Sequence, residues 1–143
     1  MYLKYNPEDQ TLTGQFLKCD ASTLSGRTYP FEEVQRANDE YQSFIRRQIA
    51  IGTVGFPIVN SSEEIDPNKA AILVLETHFK GKILYGTFKI LKTPAGQLLT
   101  SLLNIKAKFK AAMSATGVVT HGTVSNLKII SFNLIRHETN NPK

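Results

Sequence analysis

Two runs of strand length, residues 70–79 (Ala-Ala-Ile-Leu-Val-Leu-Glu-Thr-His-Phe) and 82–91, are separated only by Lys80-Gly81. Strands joined this tightly meet antiparallel, because a parallel return needs a crossover of about a dozen residues or more. In the second run Ile83, Tyr85, Thr87 and Lys89 fall on one side, and Leu84, Gly86, Phe88 and Ile90 on the other. That is the alternation of a strand with one face on a core and one in water. The first run is apolar throughout its first half and alternates only near its end. The hairpin predicts an antiparallel sheet, and the rest of the chain must cover its Leu84–Ile90 face.

Two stretches have helical spacing. After Pro30, the residues Val34, Ala37, Tyr41, Phe44, Ile45 and Ile49 recur as one apolar stripe. Pro30 is expected at the first helical position, with Glu32 and Glu33 in the first turn, Arg46 and Arg47 at the far end and Gly52 as the stop. A second helix is expected after Thr93 as cap and Pro94 at its first position, with Leu98, Leu99, Leu102 and Leu103 as its apolar face.

The remaining apolar runs read as strands. Thr11 to Cys19 is one, with Gly14 at a bulge or close approach. Lys106 to Met113 is the next, ending at Ser114. Gly117 to Thr120 and Thr123 to Ile130 flank a His121-Gly122 turn, and Ser131 to Ile135 closes the series. About seven short strands with two main helices make an α+β domain built on a small closed or curled antiparallel β-barrel. No repeat or linker divides the 143 residues, so residues 1–143 read as one domain with a polar tail at 136–143.

Composition narrows the functions. No apolar run is long enough to cross a bilayer, and Met1 to Pro7 lacks the apolar centre of an export leader, so the expectation is a chain that is neither exported nor in a membrane. One cysteine, Cys19, suits a reducing compartment and reads as a packed strand residue rather than a nucleophile. Three scattered histidines offer no metal-ligand spacing, and Gly52 and Gly55 lack the lysine and hydroxyl of a phosphate loop, so no cofactor is expected. The net charge of +5 permits an acidic partner without demanding one. Lys106, Lys108 and Lys110 share one side of a strand, either as a solvated face or as a DNA contact. No aromatic residue interleaves with them to stack on bases.

The stretch from Phe109 to Gly117 carries the one candidate nucleophile. Ser114 is placed at a strand end before a glycine turn, with Ala111, Ala112 and Ala115 leaving room for other backbone. By spacing alone it is a turn serine bonding locally.

Six boxes change that reading. Ser25-Gly26-Arg27-Thr28-Tyr29-Pro30 precedes the first helix and Gly52-Thr53-Val54-Gly55-Phe56-Pro57 follows it. Ile65-Asp66-Pro67-Asn68-Lys69-Ala70-Ala71 leads into the hairpin, and Gly86 through Gly96 leaves it. Ser114-Ala115-Thr116-Gly117 and the Ile129 to Ile135 strand complete the set. In this order they resemble the prohead maturation proteases of tailed bacteriophages, whose fold is that of the herpesvirus assemblin protease. The likeness runs from Leu12 to Ile135.

The resemblance implies a serine nucleophile at Ser114, a histidine base at the position of Phe56, an arginine at Thr116 and an aspartate at Asn133. Phe56 cannot accept a proton, and a serine without a base is a poor nucleophile. Of the implied constellation only Ser114 stands, which predicts a degenerate site. Among His78, His121 and His137, only His121 is close enough in sequence to replace the base.

Three functions follow. The first is a protease-fold component of a phage head without protease activity. Its partners would be capsid, scaffold or portal proteins, or further copies of itself, and its place the virion or the host cytoplasm during assembly. The second is an active serine protease using Ser114 with His121. The third is a basic virion protein touching DNA through Lys106, Lys108 and Lys110.

Overall fold

The structure, a computed structural model, describes residues 2–23, 26–55 and 67–136. In chain order its elements are β1 (Lys4–Asn6), β2 (Thr11–Lys18), α1 (Phe31–Arg46), β3 (Ile51–Gly52), β4 (Ile72–Lys80), β5 (Ile83–Ile90), α2 (Pro94–Asn104), β6 (Phe109–Thr120) and β7 (Thr123–Arg136). A 3-10 turn over Pro67–Lys69 leads into β4.

The β4–β5 hairpin is the centre of a five-stranded sheet, ordered β1-β2-β5-β4-β3, in which every pairing is antiparallel. Lys80 pairs with Ile83, so the turn is Gly81-Lys82, one residue later than the alternation predicts. Gly81 takes φ +62° there, which a side chain would resist. Leu84, Phe88 and Ile90 are buried and Lys89 is exposed, as the alternation requires. Gly14 lies at a close approach to Leu3, and the bulge of β2 falls after it, between Gln15 and Leu17.

The second layer is a ribbon of β6 and β7 alone. Each is one long strand, where the sequence suggests two shorter ones. Ser114 therefore sits within β6, not at a strand end, and Gly117 makes no turn. The pairing slips between Thr116 and Val118, and a Cβ on Gly117 would lie 3.0 Å from the Ser125 carbonyl oxygen. His121 and Gly122, both at positive φ, form the tight turn that the sequence places there. Lys106 and Lys108 precede β6 rather than forming its start, yet they and Lys110 are all exposed.

The strands do not close into a barrel. Backbone bonds between the sheet side and the ribbon are isolated: the Leu3 amide donates to Phe109 (2.9 Å), the Leu134 amide to Thr53 (2.9 Å) and the Gly55 amide to Leu134 (2.6 Å). The edge strands β1 and β3 span three and two residues, too few to carry a ladder across to a ribbon whose strands pair with each other along their length.

Helix α1 lies against β7, and Val34, Ala37 and Tyr41 are buried in the core. Phe132 of β7 joins the layers: its ring lies 4.9 Å from Phe16 on β2 and 5.4 Å from Tyr41 on α1. Pro30 is the cap residue rather than the first helical one. Asp20 completes the cap from a distance, accepting from the Phe31 amide at 2.9 Å while Lys82 pairs with it at 2.9 Å. Lys82 and that amide hold the Asp20 carboxyl below its usual range. The helix ends before Gly52. Gln48 turns left-handed at φ 59°, and the Gln48 and Ile49 amides bond back to Ile45 and Phe44. Ile49 thus leaves the stripe and is half exposed. On α1, Glu33 accepts the Leu127 amide (2.6 Å) and Arg36 donates to the Leu127 carbonyl (2.8 Å), clamping both backbone groups of one residue of β7. The Leu127 amide, and then Arg36, lower the Glu33 carboxyl from its usual range. Helix α2 is capped as its sequence predicts: Thr93 accepts the Gly96 amide at 3.0 Å, with Pro94 next, and its hydroxyl donates to the Ala70 carbonyl.

Candidate functional site around Ser114

Ser114 pairs with Ser131 across the ribbon, so their side chains leave the same face. Asn133, two residues along β7, shares that face. Ser131 and Asn133 are fully buried. Their side chains bond each other: Asn133 Nδ2 donates to Ser131 Oγ at 3.0 Å. Asn133 Oδ1 accepts from the Thr53 amide at 3.1 Å and from Thr53 Oγ1 at 3.3 Å. Thr53 Oγ1 also donates to the Gly55 carbonyl at 2.7 Å. A polar chain thus runs from β7 beside Ser114 to the segment after β3.

That segment is held to β7 by backbone as well. Val54 bridges Leu134 in parallel, and the Gly55 amide bonds the Leu134 carbonyl. Gly52 makes this approach feasible, since a Cβ on it would lie 2.1 Å from the Phe132 carbonyl oxygen. The fold therefore brings the box before position 56 to the strand that bears Asn133, next to the strand that bears Ser114. Phe56 itself lies outside the described residues.

The chemistry of this cluster is narrow. Serine, threonine and asparagine side chains exchange hydrogen bonds, but none takes up a proton near neutral pH. Ser114 Oγ has no hydrogen-bond partner among the described residues. His121 is not brought to it: seven residues further along β6, it stands about 20 Å away at the hairpin tip. His78 lies on the other sheet, exposed, with its Nδ1 2.8 Å from Glu76 and its ring stacked on Tyr85. His137 falls outside the described residues. Cys19 is buried just past β2, and desolvation pushes its thiol up to about 11, so it is no nucleophile at neutral pH. Among the described residues no group of acids, histidines and cysteines has metal-holding geometry.

A cleft of about 280 Å³ opens beside the serine's own box, lined by Arg27, Tyr29, Thr116 and Gly117 among others. Residues 27–29 reach it because Thr28 pairs with the start of β7: its amide donates to Gly122 and its carbonyl accepts from Val124. Arg27 thus supplies a cation to the cleft that Thr116 lines. Arg27, Thr53 and Ser131 carry no signal in the sequence that marks them as site residues. Arg27 stands in the box before the first helix, but no spacing announces that its neighbour Thr28 bridges a strand almost a hundred residues later. Tyr2 carries no such signal either: its ring lies 5.4 Å from the Lys108 ammonium and 5.5 Å from that of Lys110, an aromatic brought from the segment before β1.

The family model for the prohead core protein serine protease matches residues 6–135. Among solved structures, the bacteriophage T4 capsid assembly protease, gp21, is similar in fold, with a TM-score of 0.75 at 19% identity. The match covers 87% of this chain and 80% of that one. No curated protein matches the chain.

Proposed function

The chain belongs to the prohead core protein serine protease family, and from that premise we propose that it serves phage head assembly as a protease-fold component that binds rather than cleaves. One observation carries this reading. The side chains joined in a polar network beside Ser114 are Ser131, Asn133 and Thr53, none of them a base. The resemblance assigns the base to the position of Phe56, and phenylalanine has no group that takes a proton. Triad members act as a unit, so loss of the base lowers acyl transfer by orders of magnitude. What remains useful is the shape and its surfaces. Capsid, scaffold or portal subunits, the active protease, or further copies of this chain are the partners such a shape suits. Its place is the host cytoplasm while heads assemble, and the virion if the protein is retained. The basic patch of Lys108 and Lys110 around Tyr2 is the feature that would carry a DNA contact.

A fluorophosphonate probe tests the central claim. The folded protein should show no more labelling than its Ser114→Ala variant. Labelling of Ser114 in stoichiometric yield overturns the proposal and returns the chain to the active proteases.

A further inference from the structure

Helix α2 buries one apolar face and leaves part of a second one in water. Leu99 and Leu103 are buried in the core. Leu98 is 62% exposed and Ile105, at the C-terminal cap, 70%, the highest values for large hydrophobic residues among those described. Half-buried Leu102 lies between them and Ala95 precedes them, both packing on the core along one edge and bordering the exposed ridge. Positions 95, 98, 102 and 105 repeat at the three-and-four spacing of a helix–helix seam, over about 15 Å. The outward side of α1 is different, carrying Glu32, Arg36, Asp39 and Glu40.

Among the described residues, the nearest ionisable side chains flanking α2 along the chain are of one sign. Helix α2 itself has no ionisable side chain. Exposed Lys92 and Lys106 stand at its two ends. Between Glu76 and Glu138 the sequence contains no acidic residue at all.

We propose that this ridge is a docking surface for an amphipathic helix of a partner protein, one that carries acidic residues beside its apolar seam. The spacing selects a helix, and the lysines select its charge. A second copy is disfavoured because either orientation of two α2 helices brings lysine against lysine. A membrane is disfavoured because Leu99 and Leu103 are committed to the core, and α2 has no lysine or arginine along its own length, where an interfacial helix carries them. Leucine and isoleucine offer nothing to phosphates. The surface is independent of the chemistry at Ser114.

The probe is a synthetic helix about four turns long, with leucine at a and d and glutamate at e and g. Its binding to the full chain is read by fluorescence anisotropy. Leu98→Gln with Ile105→Gln should weaken binding by about tenfold or more without changing the melting temperature, since both side chains are exposed. Lys92→Glu with Lys106→Glu should reverse the preference toward a matching helix with lysine at e and g. Equal binding of the two helices by the unaltered chain, or unchanged binding in the glutamine variant, overturns the proposal. So does a dimer in sedimentation that the glutamine variant abolishes, or uptake of anionic vesicles or duplex DNA through these residues in place of the peptide.

Discussion

Asn133 shows how one residue changes meaning with its surroundings. In sequence it stands where the resemblance implies an aspartate, and reads as a lost catalytic partner. In the fold it is fully buried, and its amide holds Ser131 on one side and Thr53 on the other. An ionised aspartate there would have to leave water without a cation beside it, whereas asparagine both donates and accepts. Cys19 shows burial acting on reactivity. Its thiol is raised from 9.0 to about 11, chiefly by desolvation and then by Asp20. A raised folded value means that the folded state holds the proton while the unfolded thiol has lost it. Stability linked to Cys19 is thus full below pH 9 and falls as pH rises toward about 11. Urea titrations across that range should show a steeper decline for the native chain than for Cys19→Ala, and parallel curves would refute the assignment.

Among the elements, the contact of the Gly52–Gly55 segment with β7 matters most to the site. It rests on the two backbone bonds of one parallel bridge and on the Asn133 side chain rather than on a ladder. Such a junction tolerates little displacement, because each lost bond leaves a buried polar group unpaired. Gly52→Ala would press a methyl group into the Phe132 carbonyl and force the segment off β7. A loss of about 1–3 kcal/mol is expected in denaturant unfolding. Hydrogen exchange should quicken first at the Leu134 and Gly55 amides, and unchanged protection there would contradict the role given to Gly52. The Glu33–Arg36 clamp on Leu127 is the matching contact on the helical side. The lowered Glu33 carboxyl contributes stability above its unfolded value, and that contribution disappears as pH falls through the folded one.

At the scale of the whole molecule, an open five-stranded sheet and a separate ribbon need something to join them. Phe132 supplies the join, with its ring against Phe16 of the sheet and Tyr41 of α1, while Phe16 stacks on Phe88 at 4.5 Å. Phe132→Ala should therefore cost about 3–5 kcal/mol. Amide protection in β2 and in β6 should fall together, because neither layer keeps its inner face covered alone. Loss confined to the ribbon would mean that the two layers fold independently.

Local patterns were legible wherever a residue's neighbours in sequence are also its neighbours in space. The β4–β5 alternation, the α1 stripe, the Thr93-Pro94 start and the His121-Gly122 turn all depend on contacts or dihedral angles within a few residues, so the chain states them outright. The motif order was legible for another reason: it survives as a series of boxes whatever the strands between them do. The sequence could not show that Ser114 lies within a strand, because alternating small residues suit a strand and a turn equally until a partner strand passes alongside. Nor could it show that β1 and β3 are too short to close a barrel, which depends on how far each edge can be paired. Arg27 and Thr116 lining one cleft, Thr53 on Asn133 and Tyr2 near two lysines bring together residues distant along the chain, and such arrangements arise only when packing of the whole core brings separate elements together.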